Sequence, residues 1–297
     1  MNLSAPILSQ RFIILDTETT GPEPGKDVPI EIAMVECING KMGEPSSWFV
    51  DPGRKIPPSA KAVHHLTETD LIGAPTLEQV WPEVADFCAD SILMAHNAAF
   101  DLAMLPALMN EPHLCTLRMC RHLWQKGDVS PDGFPLMSHQ QQEIRYWLNL
   151  EVDTQGLAAH RAGADILVTG AIFLHAVQLY LSWGGEDTAE AFLEFTKRPI
   201  NITKMPLKGK FFGKPMTEVE SGYLEWLFKK GEETGKMDPD LFASVRRELD
   251  LRKATQVMVN KGLMEAPAEI APESEAQLPP EPPIAAPVST SHTAALS

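Results

Sequence analysis

Two carboxylates close an apolar run near the start of the chain: in FIILDTETTG, residues 12–21, Asp16 and Glu18 follow four apolar residues. Residues i and i+2 of a strand project to one face, so these two anions stand side by side. Held together at the end of an apolar strand, they repel each other and lose hydration. A hard divalent cation that accepts carboxylate oxygens offsets both costs. Two later segments carry matching chemistry. AHNAAFD, residues 95–101, places Asp101 where a short apolar strand turns into a helix, and HRAGAD, residues 160–165, places His160 and Asp165 at the start of a long apolar helix. Four carboxylates and a histidine, each at an element terminus, form a constellation for metal binding and proton transfer.

The elements that must position these groups are legible as patterns. Residues 11–16, 29–38, 46–50 and 92–96 read as strands; the first lacks alternation and is expected to be central. Leu77, Val80, Val84 and Phe87 recur at helical spacing behind Thr76, a candidate N-cap, with Pro82 expected to kink that helix. Further helices are expected at about 100–109, 116–124 and 139–149, and a strong one at about 161–181. Strands first, then alternating strand and helix, predict an α/β domain with a mixed sheet. Strand ends and helix starts along one edge of such a sheet are where sites form.

Composition bounds the rest. The chain has 297 residues, 44% of them hydrophobic, which suggests one large domain and something smaller. No run of about 18 apolar residues marks a membrane helix, and the first residues lack a signal-peptide pattern; no membrane partner is expected. Cys37, Cys88, Cys115 and Cys120 form no paired metal motif and read as reduced thiols of a cytoplasmic protein. The net charge of −15 is segregated. Residues 265–297 hold five glutamates and no Lys or Arg, whereas Lys197, Arg198, Lys204, Lys208, Lys210 and Lys214 fall in an acid-free stretch, 196–217. Three regions are therefore expected: 1–185, a catalytic α/β domain; 197–262, a small basic and aromatic domain; and 265–297, a Pro/Ala/Glu tail expected to be disordered.

DTETTG, HNAAFD and HRAGAD, in this order and at these separations, resemble the three motifs of the DnaQ-like DEDDh family of 3′→5′ exonucleases. The resemblance covers roughly residues 11–181. It implies a ribonuclease H-like fold and two divalent cations, Mg²⁺ or Mn²⁺. By that resemblance Asp16, Glu18 and Asp165 hold one ion, Asp16 bridges to a second with Asp101 near it, and His160 is the general base. Phosphodiester hydrolysis fits such a set: paired ions can clamp the attacking and leaving oxygens, and a histidine can take a proton from water near neutral pH. The resemblance also implies substrate contacts through backbone groups at Thr19, Thr20 and Gly21, and contacts at His64, at His96 and Asn97, and at Phe100. One departure stands after Gly21, where PEPGKD replaces the apolar and amide residues that relatives place against a terminal base pair.

The segment TKRPINITKMPLKGKFFGKPMTEVESGYLEWLF, with CTLRMCRHLW at 115–124, is similar to the exodeoxyribonuclease X-type subgroup. Lys204, Lys208, Lys210, Phe211 and Lys214 are expected to track phosphates and stack bases. The implied activity is metal-dependent release of nucleoside 5′-monophosphates from DNA 3′ ends, in repair. A polymerase proofreading subunit, a 3′→5′ exoribonuclease and a non-catalytic nucleic-acid adaptor are the alternatives. The C-terminal region is also a candidate contact for replication or repair proteins.

Overall fold

The computed structural model describes residues 2–154, 156 and 160–265. The strands are β1 (Phe12–Thr19), β2 (Pro29–Ile38), β3 (Lys41–Met42), β4 (Ser46–Phe49), β5 (Ile92–Ala95) and β6 (His113–Cys115). The helices are α1 (Pro58–His64), α2 (Leu77–Cys88), α3 (Ala98–Met104), α4 (Thr116–Leu123), α5 (Gln141–Trp147), α6 (Ala162–Ser182), α7 (Ala189–Lys197), α8 (Ser221–Thr234) and α9 (Pro239–Asn260).

β1 is central because both of its faces are apolar. It pairs antiparallel with β2 and parallel with β5, in the order β3-β2-β1-β5-β6, with β4 also on β2. Phe12 and Ile14 look into a core closed by α4, α6 and α7. Ile13 and Leu15 look the other way, into a core closed by α2 and α3. The result is a mixed sheet between helical layers, as expected. The alternation also decides which helix can reach which carboxylate. Asp16 and Glu18 continue the Phe12/Ile14 face toward α6, whereas Thr17 continues the Ile13/Leu15 face toward α3.

α6 lies close on the sheet because Gly170 leaves room: a Cβ there would stand 2.4 Å from Met42 Cε and 3.0 Å from Ile14 Cδ1. By length and composition alone this helix could cross a membrane, contrary to the expectation that no segment has that character. It is apolar on most sides because it is covered on most sides, with thirteen of its 21 residues buried. α2 passes through Pro82 without ending, behind a Thr76 N–H that donates to Gln79 Oε1 at 2.8 Å. β3, β6 and α1 are too short to have shown a period in the sequence.

The domain boundary expected at 185 moves. α7 follows residue 185, and Ala189, Phe192 and Leu193 are buried in the α6 core. The first unit therefore extends to Lys197. The second unit, from about residue 200, has its own core of Met205, Phe211, Met216, Val219, Leu224, Leu227, Leu241, Val245 and Leu249. Polar contacts join the two. Arg118 donates to the carbonyls of Thr196 and Arg198, Arg121 pairs with Asp238 at 2.8 Å, and Lys204 pairs with Asp128 at 2.6 Å. The tail after Glu265 lies outside the described residues.

Backbone meets backbone at this joint. Gly127 has φ +86°, and a Cβ on it would stand 2.2 Å from Gly213 Cα. Gly127→Ala would meet both a strained φ and a main-chain clash. It is expected to destabilise the folded chain by about 2 kcal/mol or more, read as a lower Tm and an earlier urea midpoint. An unchanged midpoint would mean that the two units do not meet there in solution.

Candidate active site

Asp16 and Glu18 end β1, and the first turn of α6 brings Asp165 to them. Ligand oxygens of these three carboxylates lie within 4.8 Å of one another. Asp165 is buried, and its Oδ1 accepts from Gln142 Nε2 at 2.9 Å. Gln141, one residue earlier on α5, donates to the Asp165 carbonyl and, at 2.6 Å, to Thr169 Oγ1.

Asp101 arrives from the opposite layer. It stands in the first turn of α3, and its Oδ1 accepts from Thr17 N–H at 3.0 Å and from Thr17 Oγ1 at 2.8 Å. It stands outside the compact trio, yet it is the strongest charged influence on Asp16. Burial first, and then the neighbouring carboxylates, hold Asp16 far above the ordinary range. The same causes, burial and then Asp165 and Glu31, push Glu18 up to about 8. Burial takes Asp101 to about 7 against the pull of its Thr17 bonds. Asp165 is also raised by burial, partly offset by Gln142 and His160. Such a cluster holds its protons unless cations replace them, so the donor set suits hard divalent ions.

Glu31 is a fifth carboxylate that the motif reading did not find. It stands opposite Glu18 in the β1–β2 register, is buried, and pairs with Arg161 at 3.2 Å. The sequence signal was a glutamate, one of two with Glu36, within a largely apolar strand. His160 sits in the left-handed region at φ +60°, with an exposed ring, and its main chain hydrogen-bonds the Asp165 carboxylate.

The substrate-contact expectations divide. His64 is buried, its Nδ1 accepts from Leu66 N–H at 2.9 Å, and its Nε2 has no partner. Burial lowers its pKa, against a backbone contact from Thr19, so the neutral ring is turned inward beside the end of β1. His65, the neighbour without a motif role, is exposed. Asn97 is exposed at φ +78°, where it turns β5 into α3. Phe100 is half-buried and belongs to no apolar cluster among the described residues.

His96 is a correction. Its Nδ1 meets Thr116 Oγ1 at 3.0 Å and its Nε2 meets the His139 carbonyl at 2.8 Å, so both ring nitrogens are spent. Burial takes its pKa down to about 4, and the ring ties β5 to the 139–142 segment. Thr19 and Thr20 build a turn with their hydroxyls: Thr19 Oγ1 donates to the Gly21 carbonyl at 2.7 Å and Thr20 Oγ1 to Asp27 Oδ1 at 2.9 Å. Thr20 N–H is committed to the Val28 carbonyl. At Gly21 a Cβ would stand 2.5 Å from the Asp27 carboxylate, so PEPGKD is folded back on the strand end.

In the C-terminal unit Phe211 is a second correction. It is 7% exposed and packs in the small core, so it cannot stack on a base. Lys210 pairs with Glu220 at 2.9 Å and lies over the Phe211 ring, as Lys214 does at 5.9 Å; Lys204 is taken by Asp128. Lys208 is exposed.

A family model described as "Exonuclease" matches residues 13–173. The chain is 33% identical over 241 residues to Exodeoxyribonuclease 10 of Escherichia coli, covering 80% of this chain and 98% of the relative. It is 30% identical over 191 residues to the DNA polymerase III subunit epsilon of Aquifex aeolicus, covering 61% of this chain and 88% of the relative. A solved structure described as "Exonuclease X in complex with 5′ overhanging duplex DNA" superposes with a TM-score of 0.51 at 33% identity, covering 62% of this chain and 99% of that one.

The raised carboxyls predict a pH dependence. Glu18 at about 8 and Asp101 at about 7 lie above their unfolded values near ~4. Between those values the folded chain binds more protons than the unfolded one, so stability falls as pH rises. His96 acts oppositely, but only below ~6.5. From pH 6.5 to 8.5, then, the EDTA-treated protein is expected to lose stability, read as a falling Tm, at up to about 1.4 kcal/mol per pH unit for each titrating group. Mg²⁺ should restore Tm most at the alkaline end, and Glu18→Gln should flatten the slope. A Tm that rises across this window without metal would rule out the repulsive cluster.

Proposed function

The chain belongs to the exonuclease family whose model spans residues 13–173, and we propose from that premise that it removes nucleoside 5′-monophosphates from the 3′ ends of DNA. The observation that carries the reading is the Asp16/Glu18/Asp165 trio at the end of β1, with Asp101 behind it and His160 at its rim. A DNA substrate is supported by similarity to an exodeoxyribonuclease over 80% of this chain and 98% of that relative's length. The epsilon relative matches only 61% of this chain, so a proofreading role explains less of it.

The residues divide the work. Asp16, Glu18 and Asp165 would hold divalent cations, Mg²⁺ or Mn²⁺, with Asp101 near a second position beside Asp16. When bound, such ions stabilise charge on the reacting oxygens and lower the pKa of water. His160, with its ring in solvent, takes the proton of the attacking water. Its left-handed backbone sets the ring beside the Asp165 carboxylate without burying it. Thr17 holds Asp101 in a single orientation through two donors, and Gln142 does the same for Asp165 with one. Asn97 and Phe100 lie at the turn from β5 to α3 and suit contact with the terminal nucleotide, with the buried His64 packed behind the end of β1.

Asp16→Ala, Glu18→Ala, Asp101→Ala and Asp165→Ala are each expected to remove most activity on DNA in Mg²⁺, with losses that do not add in double variants. His160→Gln is expected to lose on the order of 10²-fold in kcat. The assay is release of mononucleotides from 3′-labelled single-stranded DNA, duplex DNA and RNA of one sequence. Faster turnover of RNA than of either DNA would move the chain to the exoribonuclease reading, and an inactive wild type to the adaptor reading.

The C-terminal unit is proposed to add affinity through unpaired cations, of which Lys208 is the clearest. In Lys208→Ala the slope of log affinity against log salt on duplex DNA should flatten by ~0.9 if one phosphate contact is lost. Lys204→Ala should instead weaken the joint with Asp128 and leave the slope unchanged. The opposite pattern would place the phosphate contact at Lys204.

A further inference from the structure

Glu31 lies outside every motif and Arg161 has no assigned role within HRAGAD, yet the half-buried Arg161 pairs with the buried Glu31 against the catalytic carboxylates. Glu31 faces Glu18 across the β1–β2 register. Its side chain is 4% exposed. Arg161 reaches it with two donors, Nε to Oε2 at 3.2 Å and Nη2 to Oε1 at 3.3 Å, and Ser47 Oγ donates to Oε1 at 3.0 Å. The guanidinium also lies 5.8 Å from the centre of the Phe49 ring. Planar two-point pairing of this kind restrains orientation as well as charge.

Arg161 stands where that restraint matters. It is the N-cap of α6, directly between His160 and the helix that carries Asp165. Its carbonyl accepts from Ala164 N–H at 2.8 Å and from Asp165 N–H at 3.1 Å. His160, one residue earlier, is in a left-handed conformation that a residue with a Cβ holds only when its surroundings impose it. A fifth buried carboxylate is an expensive way to fill a strand position, because it adds repulsion to a crowded cluster. An apolar residue would pack β2 better.

We propose that Arg161 is a positioning residue: its clamp on Glu31 fixes the His160–Asp165 segment against β2 and keeps a standing positive charge beside the carboxylate cluster. Substrate need not touch it. The pair sets where the Asp165 carboxylate and the His160 ring stand relative to Asp16 and Glu18. This inference rests on the exonuclease reading for its kinetic consequence, but not for its effect on metal binding.

The test uses the full chain in three variants: Arg161→Lys, Arg161→Met, and the double variant Glu31→Gln with Arg161→Met. The measurements are Tm, Mn²⁺ affinity by EPR titration without DNA, and kcat and KM on single-stranded DNA at saturating Mg²⁺. Arg161→Met strands a buried charge, so it should lose Tm, and the double variant should regain most of that loss. Mn²⁺ affinity should stay down by about tenfold or more in both, since outer partners of metal ligands carry effects of that size. The kcat should also stay down by about tenfold or more in both, with KM within about threefold. Arg161→Lys keeps the charge without the fork and should fall between. A double variant with wild-type Mn²⁺ affinity and wild-type kcat would reduce the pair to a packing element and overturn the proposal. If the wild type itself shows no nuclease activity, the exonuclease reading fails, and the Mn²⁺ titration still decides the positioning role.

Discussion

Repulsion among buried carboxyl groups at the end of β1 is the constraint that the rest of the catalytic unit accommodates. Asp16, Glu18 and Asp165 converge, with Asp101 and Glu31 adding charge from either side. Without cations such a cluster favours protons, as the upward displacement of Asp16, Glu18, Asp101 and Asp165 shows. The surrounding fold does not relieve the repulsion. It restrains the groups so that they cannot move apart, by placing each at the end of an element whose other side chains are buried. The free energy of the apolar layers is thereby tied to the geometry of a charged site, and a metal ion that neutralises the cluster stabilises the whole unit.

The sheet performs this restraint by alternation. One strand sends Asp16 and Glu18 toward α6 and Thr17 toward α3, so a single strand end gathers carboxylates from both helical layers. Thr17 is central to that arrangement: its N–H and hydroxyl fix Asp101 across the sheet edge. On the other side α5 supports α6 through Gln141 and Gln142, and His96 ties α5's leading segment back to β5. These polar bonds form a rim around the site, and most of their members have no vocation for substrate.

Among the described residues, the second unit is joined to the first by arginines on α4, by the Lys204–Asp128 pair and by a close passage of two glycines, each unit having its own apolar core. Its basic run looked like a continuous surface for phosphates, but folding divides it. Some lysines neutralise acids of the chain itself, and Phe211 closes the small core that α8 and α9 need. What is left for a nucleic acid is a narrower set of exposed cations than the composition suggested.

The chemistry of the site was legible in the sequence because it is written in local patterns. An apolar run interrupted at i and i+2 by carboxylates, a strand-to-helix turn ending in Asp101, and a histidine five residues before Asp165 need only strand and helix periodicity to be read. The α/β architecture, the central place of β1 and the start of α6 followed from the same periodicity. Short elements such as β6 and α1 carry too few residues to show a period, and α7 was hidden behind two glycines and a run of polar residues. Tertiary structure alone decided the rest. Which side chains are spent depends on register and on helix docking: His96 loses both nitrogens to groups 20 and 43 residues away, and Glu31 meets Glu18 through strand pairing and Arg161 across 130 residues. A sequence specifies the kinds of groups present, but which of them remain free to act is a property of distances that exist only once the chain has folded.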